Sequence, residues 1–370
     1  SGTRRRASGG IGRDIKSILR CPTRVVAALL SLPHIMLELR IVTRRTPHAI
    51  TLVVAGAAAA ALACASPADS PSTLAPPVAP AFQTVSLLGD TLRALPLAAD
   101  VREKYATQLA DAQRAYEHTP TNVDSLIWYA RRLGYLGQLR ESIEIYTRGI
   151  ALYPDNPWLY RHRGHRYISV RDFAAAVTDL ERATALVQGK PDEIEPDGQP
   201  NAQNSPIGTL HSNIGYHLAL AHYLMGDFTA AARVSQLEVN AATNDDRRVS
   251  MAHWLYMSLR RSGRDAEAAQ VLVPITRDMT IIENQAYHRL MLLYKGALPA
   301  DSVLTAAPSG ELSVKDASAA YGVANWHWYS GRKAEGEALW RRIVDGGQWG
   351  AFGTVAAEAE LARITASPAS

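Results

Sequence analysis

Two consecutive stretches of this chain align with each other at an offset of 34 residues: Asn122 to Asp155 reads NVDSLIWYARRLGYLGQLRESIEIYTRGIALYPD, and Asn156 onward reads NPWLYRHRGHRYISVRDFAAAVTDLERATALV. An internal repeat constrains the fold more than composition does, because one short unit cannot bury its apolar face alone and must stack on the next. In the first unit Leu126, Tyr129, Ala130 and Leu133 recur at helical spacing and share one face. Beyond Gly137, Ile143, Tyr146 and Ile150 form a second stripe, and Pro154 closes the unit because proline cannot continue a helix. Each unit is therefore expected to be a hairpin of two helices.

The period, the turn glycine Gly137, Leu139, the small residues Ser142 and Gly149, and Pro154 resemble the tetratricopeptide repeat (TPR) family. The second unit adds Tyr160, Gly164, Tyr167, Phe173, Ala176 and Ala183, with Arg171 in place of the turn glycine and Arg163 in place of an apolar residue. This resemblance implies an all-α fold, a right-handed superhelical solenoid of helix-turn-helix repeats with a C-terminal capping helix. With the turn as a ruler, Gly137, Arg171, Gly226, Gly263, Gly296 and Gly331 follow at steps of 34, 55, 37, 33 and 35. The long step places an insertion at 188–208. The repeats are then expected at 122–155, 156–188, 212–245 and 249–280, a degenerate one at 282–308, and one at 317–347. Lys104 to His118 reads as the second helix of a partial repeat. The Ala/Glu-rich segment 349–366 reads as a cap that turns a polar face to water.

The formal charge of +4 is unevenly spread. Residues 1–63 carry ten Lys or Arg against Asp14 and Glu38, a net of +8, so the remainder is at −4. A mildly acidic body lacks the basic stripe that nucleic acid requires, and nucleic acid is not an expected partner. Both cysteines, Cys21 and Cys64, lie at or before residue 64, which leaves the body without thiols for disulfides or metal.

Residues 1–35 read as a non-native or disordered leader. From Met36 the order is a basic segment (Arg40, Arg44, Arg45), an apolar run from Ile50 to Ala63, and small residues before Cys64, which is the layout of a secretory signal over 36–65. The run is short of the roughly 20 residues a membrane span needs. Cys64 after Ala61-Leu62-Ala63 resembles a bacterial lipobox, implying lipidation and membrane attachment; simple cleavage after Ala63 or Ala65 is the other reading. Under both, the chain is exported, as a periplasmic protein or a membrane-anchored lipoprotein. The closely spaced prolines of 66–87 read as a semi-rigid tether, and the solenoid is expected over 88–370.

The family resemblance implies that the first helix of each pair lines a concave groove. It thereby nominates Arg131, Tyr135, Arg161, His165, Asn213, Tyr216, His253, Arg260, Tyr321, Asn325 and Trp328 as groove residues. Arginine takes carboxylates bidentately and Tyr and Trp supply apolar area with a polar tip, so an extended peptide or other anionic ligand suits that set. Solvated charge and ordinary inter-repeat packing account for part of the same set. The five-residue carboxylate clamp of chaperone-binding members has no counterpart at matching positions.

The histidine groups His162/His165 and His211/His217/His222 have no carboxylate at ligand spacing, so no metal site is assigned. The insertion's acidic residues Asp192, Glu193, Glu195 and Asp197 lack the alternation of a calcium loop. Glu358 and Glu360 read as surface carboxylates on a helix. There is no nucleophile elbow, P-loop, dinucleotide fingerprint or C-x-x-C, and no cofactor is expected. The leading expectation is a non-enzymatic scaffold for a protein or peptide; the alternative is a small-ligand or enzymatic protein using the insertion and the nearby histidines.

Overall fold

The computed structural model describes residues 81–304 and 314–366. The secretory signal and Cys64 lie outside the described residues. A short hairpin of β1 (Phe82–Val85) and β2 (Thr91–Arg93) leads into α1 (Ala99–His118). Helix pairs follow: α2 (Val123–Tyr135) with α3 (Leu139–Leu152), α4 (Pro157–Ser169) with α5 (Phe173–Val187), α6 (Leu210–Met225) with α7 (Phe228–Ala241), and α8 (Asp245–Arg261) with α9 (Asp265–Val271). Then come α10 (Gln285–Tyr294) with α11 (Ala300–Val303), α12 (Val314–Tyr329) with α13 (Lys333–Asp345), and a single last helix, α14 (Phe352–Ala366). The described residues form an all-α solenoid of TPR-like helix pairs.

The pairs are built by one recurring turn. All six ruler positions are left-handed, with φ from 68° to 87°. The residue after each donates its N–H to a carbonyl five residues back: Gln138 to Leu133 (3.0 Å), Asp172 to Tyr167 (2.9 Å), Asp227 to His222 (3.0 Å), Arg264 to Leu259 (2.9 Å), Ala297 to Leu292 (2.8 Å) and Arg332 to His327 (3.0 Å). This closure satisfies carbonyls that the ending helix leaves open. In two turns the same residue starts the next helix, since the carboxylates of Asp172 and Asp227 accept from Ala175 N and Ala230 N. Asn122 and Asn156 cap α2 and α4 in the same way, with Pro157 at the first turn of α4.

Small residues set how closely the helices approach. A Cβ on Gly149 would meet Leu126 and Leu159, and one on Gly164 would meet Leu180, all fully buried. The fourth and fifth pairs are reduced, α9, α10 and α11 being 7, 10 and 4 residues long. Backbone that such short helices leave unpaired is gathered by the buried carboxylate of Asp246, which accepts from the N–H groups of Ile282, Glu283 and Asn284 at 2.8 Å each.

Two features depart from expectation. The first strand of a β-hairpin, β1 (Phe82–Val85), stands within the segment read as tether. Gln83 is 1 % exposed, and its side-chain oxygen accepts from Leu139 N (2.7 Å) at the start of α3; Thr84 Oγ1 donates to Val170 O (2.8 Å). The strands are short and follow a proline-rich run, so their alternation was too brief to register, and their partners lie on distant turns.

The second departure is α14, which is not a cap with a wet face. From Val355 to Leu361 no residue exceeds 3 % exposure. The helix packs against α12, α13 and α6, and the opening of α14 so closely approaches the Ala317 carbonyl that Gly353 has no room for a Cβ. Glu358 and Glu360, expected on a surface, are 2 % and 1 % exposed. Glu358 takes a bidentate pair from Arg171, Nε at 3.0 Å and Nη2 at 2.5 Å, and Arg171 also donates to Ser169 O and Trp349 O. Glu360 is held by Arg261 (2.5 Å), Arg363 (3.0 Å) and the Tyr321 hydroxyl (3.0 Å). Burial pushes Glu360 up, but Arg261 and Arg363 outweigh it and hold the carboxyl below its usual range. An Ala/Glu pattern resembles a solvated helix because Arg171 and Arg261, which compensate the two carboxylates together with Arg363, are remote in sequence.

The substitution Arg171→Gly relaxes a left-handed turn yet leaves Glu358 buried without its cation. A net loss of about 2 kcal/mol or more is expected, the cost of breaking a buried pair exceeding the relief of the turn. In urea unfolding of R171G, E358Q and the double variant, the double should lose at least ~1 kcal/mol less than the two singles together. Additive losses would show that the pair does not couple the second repeat to the last helix.

Candidate functional site

The insertion is a strap across the inner face, the face formed by the first helices of the pairs. It is pinned at its base by the Ile194–Thr209 bridge, with Glu195 N donating to Gly208 O (3.2 Å) and Leu210 N to Glu193 O (2.8 Å). Between these anchors Glu195 to Gly198 lies on α2 and α4. Glu195 is 6 % exposed, and its carboxylate stands 2.8 Å from Arg161 Nε and accepts from Asn213 Nδ2 at 2.8 Å. Arg131 Nη1 donates to Pro196 O (2.9 Å) and Arg132 Nη1 to Gly198 O (3.1 Å). Gly198 sits against the hydroxyl end of Tyr135, where an added Cβ would collide with it.

Beneath the strap is a cluster of cations. Arg131 comes from α2 and Arg161 and Arg166 from α4, and Gly134 makes the room for the Arg166 guanidinium. Arg161 Nη1 donates to Nδ1 of His162 (3.3 Å) and of His165 (3.4 Å), and Arg166 Nη2 donates to His165 Nδ1 (3.3 Å). Nδ1 of both histidines is thus an acceptor. His217 is the opposite tautomer, donating from Nδ1 to Asn213 O (2.6 Å), and its ring lies 4.5 Å from that of His165. Arg166 Nε, His162 Nε2 and the Tyr146 hydroxyl are buried without a hydrogen-bond partner among the described residues.

Beside the cluster a cavity of about 340 Å³ opens between the strap, α6, α8 and α10, with Asp197, Asn213, Tyr216, Arg247, Tyr287 and Phe352 in its wall. The Tyr216 and Tyr287 hydroxyls share a hydrogen bond of 2.8 Å.

The eleven nominated residues divide into three groups. Arg131, Tyr135, Arg161, His165, Asn213 and Tyr216 gather around the strap and the cavity. His253, Tyr321 and Asn325 are in the core, at 1 %, 1 % and 0 % exposure. His253 stacks on Tyr294 and is pushed down to about 3 by burial, and Tyr321 and Asn325 both bond the Tyr223 hydroxyl. They are covered because α14 and the reduced fifth pair close over this end of the inner face. Arg260 pairs with Asp265 (2.8 Å) at the α8–α9 turn, and Trp328 packs on Trp340.

The histidines after the insertion do not converge. His211 is near Asp192 (4.0 Å), His217 is in the cluster, and His222 is near Asp227 (3.8 Å) at a turn. Among the described residues no three His, Cys, Asp or Glu are gathered to hold a metal ion. Reading the sequence alone missed Arg132 and Arg166, and weighed Glu195 only as a calcium ligand in the insertion, not as a partner of Arg161. A glycine inside a helix, Gly134, facing an arginine one repeat later was the available signal for Arg166.

No protein-family model matches the sequence, and no curated protein matches it. Among solved structures the chain is similar to YrrB, a TPR protein with an unusual peptide-binding site, at 15 % identity over 64 % of this chain and 91 % of that one, with a TM-score of 0.36. It is also similar to MamA (15 % identity, 55 % of this chain and 100 % of that one, TM-score 0.36). A tetratricopeptide repeat protein from Parabacteroides merdae gives 12 % identity, 71 % and 100 % coverage and a TM-score of 0.39.

Burial, reinforced by the neighbouring arginines, holds His162, His165 and His217 well below the usual 6.5. Unfolded histidines take up protons near 6.5 while the folded ones stay neutral. The stability they contribute is complete above that pH and is lost as pH falls towards the folded values, by up to about 1.4 kcal/mol per pH unit for each histidine. The urea midpoint should fall from pH 7.5 to pH 5.5, and less steeply in His165→Asn. An unchanged midpoint over that range would mean the cluster is not closed to protons.

Proposed function

We propose that this protein is a non-enzymatic scaffold that binds a peptide segment of a partner protein along the inner face of its first three helix pairs. The observation that carries this reading is the strap itself: a run of extended chain is held there by side-chain donors from two successive repeats, Arg131, Arg132 and Arg161. The adjoining cavity offers hydroxyls, an amide and aromatic edges, the mixture that orients a peptide backbone and accepts a side chain. The far end of the inner face is filled by α14, which confines the reading to the end near α2, α4 and α6.

A photo-crosslinking residue at Glu283, exposed on the cavity wall, should capture a partner of one discrete mass. The same residue at Arg148 or Gln236, exposed on second helices, should not. Equal capture at all three positions would reject the inner face as the binding surface.

Export is proposed on the leader alone, from the basic segment, the apolar run Ile50 to Ala63 and the small residues around Cys64. Mass spectrometry of the mature N-terminus from a bacterial host is expected to read either a lipidated Cys64 or a free terminus at Cys64 or Ser66. A mature chain that retains the apolar run would overturn export.

A further inference from the structure

We propose that the arginine floor of α2 and α4 recognises an acidic, extended peptide of a partner, and that Glu195–Gly198 occupies it as an internal surrogate. This inference rests on the inner-face reading above and names the chemistry of its ligand.

The floor carries Arg131, Arg132, Arg161 and Arg166. Among the described residues one carboxylate makes an ion pair with any of the four, and it is Glu195 of the strap. Asp197 is next along, its carboxyl pushed up by partial burial against the pull of Arg131. The histidines that face these arginines, His162, His165 and His217, are neutral and supply no counter-charge. Lifting the strap therefore takes the bonded carbonyls and the carboxylate from Arg131, Arg132 and Arg161, beside Arg166, whose Nε is already short of a partner among the described residues. Buried charge without compensation is costly, so whatever replaces the strap must bring a carboxylate to the place of Glu195.

The surrogate also fixes the class of ligand. Arg131 and Arg132 donate to the peptide carbonyls of Pro196 and Gly198 while Arg161 takes the carboxylate, so the floor reads a backbone and a side chain at set spacing. A free inorganic anion satisfies only the last of these. The strap's outer side is solvated, with Ile194 63 % exposed and Pro196 and Asp197 exposed, so it can leave without unpacking a core. Being tethered, it competes at an effective concentration of about millimolar, which masks the floor from a dilute ligand.

The test displaces the strap through Gly198, which has no room for a Cβ over Tyr135. The purified chain and its G198V variant, matched for helical content and thermal unfolding, are titrated with a labelled peptide of residues 191–200, PDEIEPDGQP, by fluorescence anisotropy. The variant should bind at least tenfold more tightly than the unsubstituted chain. A peptide with glutamine in place of Glu195 should lose at least tenfold, and R161A added to G198V should abolish binding. If G198V does not fold, the variant E195Q, which disarms the strap without added bulk, carries the same expectations. Equal binding by the variant and the unsubstituted chain, equal binding of the glutamine peptide, or displacement of the peptide by equimolar inorganic phosphate would each overturn the proposal. Crosslinking at Glu283 with no gain in peptide binding overturns the acidic-peptide assignment alone; loss of both overturns the inner-face reading as well.

Discussion

The contact on which this architecture depends is the ion pair between Arg171 and Glu358. Arg171 sits where five other turns carry glycine, in a left-handed backbone that costs a residue with a Cβ about 1 kcal/mol or more. Its side chain offsets that cost by reaching the last helix, bonding both oxygens of Glu358 and the Trp349 carbonyl. A solenoid otherwise holds together through nearest neighbours, each repeat touching the one before and the one after. Here a residue of the second pair is bound to α14, 187 positions away, and the array is closed on itself. The β-hairpin extends the closure, since Trp349 Nε1 donates to Arg93 O (2.8 Å) while Gln83 and Thr84 hold the first two turns.

This closure explains what could be read from the sequence and what could not. Helix pairing is written in short-range terms: apolar spacing of three and four, a left-handed residue at each turn, and Asp or Asn at helix starts. Gly137, Gly226, Gly263, Gly296 and Gly331 located their turns, and the long step between Arg171 and Gly226 located the strap. The placement of α14 depends instead on charges that meet only after the superhelix has turned. Glu358 and Glu360 have no arginine at helical spacing that declares them buried, apart from Arg363, and Arg171 looked like a defective turn glycine. The strap was visible as an insertion, but its binding to Arg131 and Arg161 could not be inferred from a loop's composition.

The charge pattern follows from the same geometry. First helices contribute Arg131, Arg132, Arg161 and Arg166 to one side of the inner face, while the body as a whole is mildly acidic. Buried arginines are tolerated there through three devices: aromatic faces, as for Arg131 and Arg132 over Trp128; neutral imidazoles that accept their hydrogen bonds; and the carboxylate of Glu195. Only the third brings negative charge.

The two ends of the inner face are therefore closed by elements of unequal stability. Helix α14 is buried from Gly353 to Leu361 and locked by two carboxylates that would lose Arg171 and Arg261, their partners on other elements, if it moved. The strap buries one carboxylate, keeps its outer side in water and is anchored at its base by a few backbone hydrogen bonds. Local opening follows the path that exposes least apolar surface and breaks fewest buried contacts. For this chain that path is the lifting of residues 195–198, which uncovers the arginine floor while the helix pairs and the closing helix stay in place.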